Sequence, residues 1–320
     1  MVQAAIGSDY NQADISGGWV TVTGNQALLT CDIQGNPLPL ENGKRYYVTL
    51  RVTNKAGLSV TSTNCGIMVD DTPPPTPLVL DQGAYINSSQ TLKANWFWSP
   101  EDPKTGPNTY QWTLIKDGQD LNAAIWQNGD DSKRIELTAD QIKALFPYLN
   151  DGLTPDGSVF YFAVRATNRA GLSSTGISDG IIADSTAPYI PDVKVLNITN
   201  IDPNNPGAAP DVNYITSNQN LSLWIRSYDP DTPIDQYYYA WGLPGQVESF
   251  LGKQTAQSGQ YSQTNQPGGV LIRLPDPSLD QGVLNIFAGE CSNKAQLVSA
   301  AGYSGGVVLD TSFPKITNVH

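Results

Sequence analysis

The sequence predicts an all-β protein built as tandem antiparallel β-sandwiches. Three observations carry that expectation. Residues 46–58 (Tyr-Tyr-Val-Thr-Leu-Arg-Val-Thr-Asn-Lys-Ala-Gly-Leu) recur 114 residues later at 160–172, and a more divergent copy stands at 284–295, its Asn293 a further 125 residues on from Asn168. Periods of that size are whole domains rather than solenoid units. Apolar and polar residues alternate within the copies, and the 29 Gly and 23 Pro fall between short apolar runs, a pattern of many short strands and turns.

The elements follow in order within a module. Residues 92–98 and 221–226 match between the second and third modules and read as early strands. Acidic, Pro-rich turns come next, at 99–106 and 229–233, then aromatic strands at 110–114 and 237–242, then short apolar strands at 134–137 and 271–274. Thr138-Ala139-Asp140-Gln141 has capping-box spacing, and Ile142, Leu145 and Phe146 share one face. With Pro147 as the stop, one short helix is expected near 139–146. The repeated segment is a half-buried strand with Tyr46, Val48, Leu50 and Val52 on its apolar face; Phe160, Phe162, Val164 and Ala166 occupy that face in the second copy. Asn-Lys-Ala-Gly and Asn-Arg-Ala-Gly supply the turn, because Asn and Gly tolerate positive φ. The third copy has Gln296 in place of the glycine, and a differently built turn is expected there. A closing strand follows at 65–69, 179–183 and 306–309, and each copy then reaches Asp70, Asp184 or Asp310 and a proline segment. About seven short strands in about 110 residues is the count of a β-sandwich.

Composition narrows the function classes. The net charge is −12, with 18 Lys plus Arg, so a phosphate backbone or an anionic membrane surface is repelled, and neither nucleic acid nor membrane is an expected partner. No run approaches the ~20 apolar residues that cross a bilayer, and the first residues lack the basic and apolar regions of a signal peptide. Three cysteines are too few for a disulfide scaffold. Cys31 and Cys65 share a module and could pair if its sheets bring them together, whereas Cys291, aligned with Val52 and Ala166, reads as a buried apolar thiol.

Arg165-Ala166-Thr167-Asn168-Arg169-Ala170-Gly171-Leu172-Ser173, followed by Ser178-Asp179-Gly180-Ile181 and an Asp-x-Thr-x-Pro segment, resembles fibronectin type III and related immunoglobulin-like repeats. The resemblance implies a tandem array of the kind found in large extracellular and cell-surface proteins. Its third copy departs from the pattern at Cys291 and Gln296. It speaks for fold and location, and not for a ligand.

In phase with the repeat, residues 1–73 are the C-terminal part of a first sandwich, 74–187 a second module, 188–312 a third, and 313–320 the opening strand of a following one. Val2–Gly7 takes the place of Tyr237–Gly242, so two strands are expected to be missing from the first module. The simplest account is an excerpt from a longer array. The sharper alternative is a strand-exchanged filament, in which an overhanging strand completes a neighbour's open sheet.

Catalytic chemistry has little to work with. The one histidine is His320, the cysteines are scattered, and no Gly-rich phosphate loop runs from strand to helix, so no enzymatic role is expected. Calcium is the one cofactor the residues suggest. Asp229, Asp231 and Asp235, with Asp102, place hard oxygens in loops at module ends, and Asp70 and Asp184 sit at module junctions. Calcium takes six to eight such ligands, while Asp-Pro and Asp-Thr also begin turns unaided. Sequons stand at Asn87, Asn197 and Asn220. Tyr238 and Trp241 lie in an aromatic strand with rings on both faces and are the candidate ligand-binding residues. The expected function is a structural or adhesive segment of a large secreted or surface-attached protein, a spacer and scaffold whose partners are neighbouring modules and other surface proteins or glycans. The alternative is a carbohydrate- or protein-binding module accessory to an extracellular enzyme or receptor.

Overall fold

The computed structural model describes residues 1–87, 89–97, 107–147, 156–197, 199, 201–202, 205–257, 261–263, 269–315 and 317. The first module holds β1 (Val2–Gly7), β2 (Val20–Thr21), β3 (Arg45–Thr53), β4 (Ser59–Thr63) and β5 (Ile67–Met68). The second holds β6 (Leu78–Asp81), β7 (Tyr85–Ile86), β8 (Leu92–Phe97), β9 (Pro107–Lys116), β10 (Gln127–Asn128), β11 (Arg134–Leu137), α1 (Ala139–Leu145), β12 (Val159–Asn168), β13 (Ser173–Ile177) and β14 (Ile181–Ala183). The third holds β15 (Tyr189–Asn197), β16 (Tyr214–Ile215), β17 (Leu221–Tyr228), β18 (Ile234–Leu243), β19 (Gln246–Thr255), β20 (Tyr261–Gln263), β21 (Gly269–Arg273), β22 (Leu284–Asn293), β23 (Gly302–Tyr303) and β24 (Val307–Leu309).

The second and third modules are two-sheet sandwiches. In the second, the sheet β11-β8-β6 faces the sheet β10-β9-β12-β14-β7; in the third, β15-β17-β21-β20 faces β16-β24-β22-β18-β19. Inward residues of the two sheets make one core per module: Leu92, Ala94 and Trp96 meet Trp112, Leu114, Phe160, Phe162 and Val164 in the second. Leu223 and Ile225 meet Tyr239, Trp241, Phe287 and Cys291 in the third. The alternation read in the sequence is the alternation of these faces. The helix forms as expected, with Thr138 and Gln141 bonding each other's backbone in a capping box and Ile142 and Phe146 buried in the core.

The closing strand of each module is split, and the same device splits it each time. Asn64, Ser178 and Ser304 exchange a side-chain and a backbone hydrogen bond with Val48, Phe162 and Phe287. A left-handed glycine follows: at Gly180 φ is 104°, and a Cβ would stand 2.6 Å from the Tyr161 ring. Only glycine fits there, and Gly66 and Gly306 repeat the arrangement. The turn after the repeated strand is built alike in all three copies, contrary to the expectation for the third. Gln296 adopts φ 66° and keeps the bond from its N–H to Asn293 O that Gly171 makes to Asn168 O. Its side chain accepts a hydrogen bond from Gln90 of the second module at 3.1 Å, a contact that offsets the strain of a left-handed glutamine.

The first module differs. It is one sheet, β2-β1-β3-β4 with β5 also on β3. Besides the two early strands expected to be missing, a third is not formed: residues 22–44 contain no strand, only an isolated bridge between Cys31 and Pro37. The predicted apolar face of β3 is therefore covered at Tyr46 and partly at Val48 but bare at its far end. Leu50 and Val52 are 45% and 46% exposed, where their counterparts Val164 and Ala166 are fully buried. Cys31 and Cys65 are both free and exposed, so the possible disulfide is not made; no second sheet brings the two together. Cys291 is buried, and burial pushes its thiol up to about 11.

Candidate functional site

The joint between modules is where the repeat and the acidic residues meet. Each repeated strand ends on an asparagine, and in the second and third modules its side chain works in two directions. Within the turn, Asn168 Oδ1 accepts from Ala170 and Leu172 N–H at 3.0 and 2.9 Å, an Asx-type closure. Outward, Asn168 Nδ2 donates to Asp70 Oδ2 and Thr72 O of the preceding module, both at 3.0 Å. Asn293 repeats this at the next joint: Oδ1 accepts from Leu297 N–H at 2.8 Å, and Nδ2 donates to Asp184 Oδ2 at 2.8 Å and reaches Thr186 O at 3.4 Å. Asn54 makes the inward bonds, to Ala56 and Leu58 N–H, and is exposed. The Asp-x-Thr segment and the Asn-x-Ala turn are thus the two halves of one repeated contact.

The second joint is the more elaborate. Asn293 Nδ2 also donates to Asp229 Oδ2 at 2.9 Å, and Thr232 Oγ donates to Asp184 Oδ2 at 2.5 Å. Across the same boundary Asn87 Nδ2 donates to Ala295 O. Asp156, Asp184 and Asp231 stand together, with one carboxylate oxygen from each within 4.8 Å of the others. Asp184 is 1% exposed. Among the described residues none of the three forms an ion pair with Lys or Arg, and no hydrogen bond reaches the Asp231 carboxylate. Burial holds the Asp184 carboxyl above its ordinary value, opposed by its bond from Thr232 and reinforced by the charges of Asp229 and Asp156. Burial and then the charges of Asp184, Asp156 and Asp229 raise Asp231. Burial also pulls Asp156 upward, but bonds from Ser185 and Thr186 outweigh it and leave that carboxyl below its usual range. The donor set is all hard oxygen, and oxygens up to about 5 Å apart can share a cation bound at 2.3–2.6 Å, so these residues fit calcium.

Of the residues the sequence singled out for calcium, Asp184 and Asp231 come together, with Asp229 beside them through Asn293. Asp70 is at the other joint, where its carboxylate is taken up by Thr72 and Asn168. Asp235 is exposed and lines a separate groove with Tyr85, Lys294 and Gln296. Asp102 lies outside the described residues. Asp156 was not anticipated: Pro155-Asp156-Gly157 reads as a turn, and nothing local reveals that the turn meets Asp231 of the next module. The ligand-binding pair separates. Trp241 is 6% exposed, stacked on Tyr239 and packed on Phe287, and offers no face to a ligand; alternation placed it on the core side. Tyr238 is on the outer side, with Lys253 Nζ 4.6 Å above its ring. The Asn87 sequon is buried in the joint, which leaves its nitrogen inaccessible to a glycan in the folded state.

No protein-family profile matches the sequence, and no curated protein is significantly similar to it. Solved structures are similar in fold. Three fibronectin domains of chicken CNTN1 are 14% identical over 97% of this chain and 90% of theirs, with a TM-score of 0.33. A segment of a 1.5-MDa bacterial ice-binding adhesin is 14% identical over 97% of this chain and 86% of its own, with a TM-score of 0.38. Fibronectin(III)-like modules of Clostridium thermocellum CbhA are 11% identical over 76% of this chain and 100% of theirs, with a TM-score of 0.35.

Proposed function

We propose that the chain is a spacer and scaffold within a secreted or surface-attached multi-module protein, and that its task is to hold successive β-sandwiches in a fixed relation. The observation that carries this is the Asn–Asp contact at both joints: the residues most faithfully repeated in the sequence are spent on bonding one module to the one before it. A flexible linker needs no such contact. The Pro-rich segments after Asp70 and Asp184 limit bending by fixing φ.

In this reading Asp156, Asp184 and Asp231 hold a calcium ion that neutralises the joint and stiffens it further. Asp156 and Asp184 come from the second module and Asp231 from the third, so an ion there links the two. The test is small-angle scattering and thermal melting of residues 1–320 with and without millimolar calcium. Expected are a narrow distribution of inter-module distances and, at about a hundred times Kd, a stabilisation of about 2.7 kcal/mol that disappears in Asp184→Asn/Asp231→Asn. A broad, linker-like distribution in the wild type refutes the spacer. An unchanged melt in calcium refutes only the ion.

A further inference from the structure

One position on the outer face of the sandwich is treated differently in the third module, and the difference leaves a groove. At this position two small residues lie opposite each other on neighbouring strands: Ala5 and Thr49 in the first module, Thr113 and Ala163 in the second, Ala240 and Ala288 in the third. Small outward residues make a hollow in a sheet. In the first two modules the hollow is filled from within, because the connection after β1 or β9 folds back over it. Residues 8–19 do so in the first, where Ser16 Oγ accepts from Ile6 N–H at 3.0 Å, Tyr10 packs on Tyr47 with ring centroids 4.5 Å apart, and Trp19 lies 4.0 Å from the Arg51 guanidinium. Residues 117–126 do so in the second, where Thr113 Oγ donates to Ile125 O at 2.9 Å and Trp126 lies 4.0 Å from Arg165.

In the third module that connection is only Pro244-Gly245, and β19 returns directly beside β18 as a ten-residue strand whose pairing shifts register on either side of Trp241. Among the described residues no connection folds over Ala240 and Ala288, which form the buried floor between larger side chains. A groove of about 560 Å³ remains, with Ile286, Val247 and Tyr303 among its apolar walls. Glu248, Lys253 and Glu290 stand at its rim. Lys253 is committed to Glu290 and lies over Tyr238. Glu248 is exposed and has no ion-pair partner among the described residues.

We propose that this groove is a docking site for the loop of a protein partner, an extended segment with an apolar side chain next to a Lys or Arg. Polypeptide is the occupant the fold itself places there twice. The volume and apolar walls suit one or two side chains. The exposed Glu248 carboxylate and the chain's net charge of −12 favour a cation beside them. The reading of the joints plays no part in this.

The test is selection of a displayed random cyclic peptide library on the 1–320 protein, with Ala288→Trp, which fills the groove, as the counter-target. Expected is an enriched family with an apolar residue adjacent to Lys or Arg. A synthetic member should bind the wild type and lose at least about tenfold in affinity, about 1.4 kcal/mol, to Ala288→Trp and to Tyr303→Ser. Tyr303 is 57% exposed, so its replacement leaves folding intact and tests the groove apart from any packing defect. Glu248→Gln should weaken the peptide in a salt-dependent way. Failure to enrich peptides over the filled variant overturns the proposal. So does enrichment that Tyr303→Ser leaves unchanged, and so does a glycan array in which an oligosaccharide, and no peptide, is the ligand lost on filling the groove.

Discussion

Asn293→Ala is the sharpest perturbation of the joint. It removes hydrogen bonds to two carboxylates, Asp184 at 2.8 Å and Asp229 at 2.9 Å, and the turn bond from Leu297 N–H. Bonds to charged groups contribute about 1.5–3 kcal/mol each and a neutral one about 1. The two carboxylates share one donor nitrogen, so the sum is smaller than independent bonds would give, and about 3 kcal/mol is the working figure. For a cooperative unit of 150–250 residues, 1 kcal/mol moves Tm by about 2–4 °C, so calorimetry should show a fall of about 6–12 °C. Asn293→Asp separates joint from turn. It keeps an acceptor for Leu297 but sets another carboxylate against Asp184 and Asp229, so at neutral pH it should destabilise more than alanine, and acid should narrow the gap. Asn54→Ala, which breaks only the two turn bonds from Ala56 and Leu58 N–H, should cost about 1–2 kcal/mol. If Asn293→Ala costs no more than Asn54→Ala, or if aspartate is tolerated better than alanine at pH 7, the Nδ2 contacts contribute nothing and the joint is not what the repeat encodes.

Three further outcomes are expected. Val164→Ser should cost several kcal/mol because it leaves a cavity and an unpaired hydroxyl in a closed core, while Leu50→Ser at the corresponding position should change urea stability by less than about 0.5 kcal/mol. For pH, Asp184 and Asp231 are raised in the folded state, so their ionised forms oppose folding above the ordinary carboxylate range. Acidification from pH 7 toward their elevated values should relieve that cost, and Asp231→Asn should flatten the gain. Asp156 is lowered, and its stabilising contribution is lost as pH falls through its folded value. Finally, a thiol reagent should label Cys31 and Cys65 in the native protein and reach Cys291 only on unfolding.

Much of the architecture was legible in the sequence because it is local. Alternation fixed which residues of β12 face inward, and Thr138 to Gln141 announced the helix cap. The repeat was visible too, but only half of its meaning. Asn168 reads as a turn residue from its neighbours in sequence, whereas its second role depends on Asp70, 98 residues away. Asp156 was illegible for the same reason, as its partner comes from another module. Trp241 and Tyr238 show the opposite failure: two adjacent faces of one strand were both offered to a ligand, and the phase that sends Tyr239 and Trp241 inward decides between them. The exposure of Leu50 and Val52 on β3 was unreadable because periodicity reports which side is apolar and not whether anything covers it.

The two-way asparagine has a mechanical consequence. A pull along the string loads each joint through a residue that also closes the final hairpin of its own module. Peeling a joint apart therefore loosens the hairpin behind it, and fraying of that hairpin slackens the grip on the module in front. The array would then give way as linked units rather than as beads that open one by one, with Asn168 and Asn293 as the fuses between them.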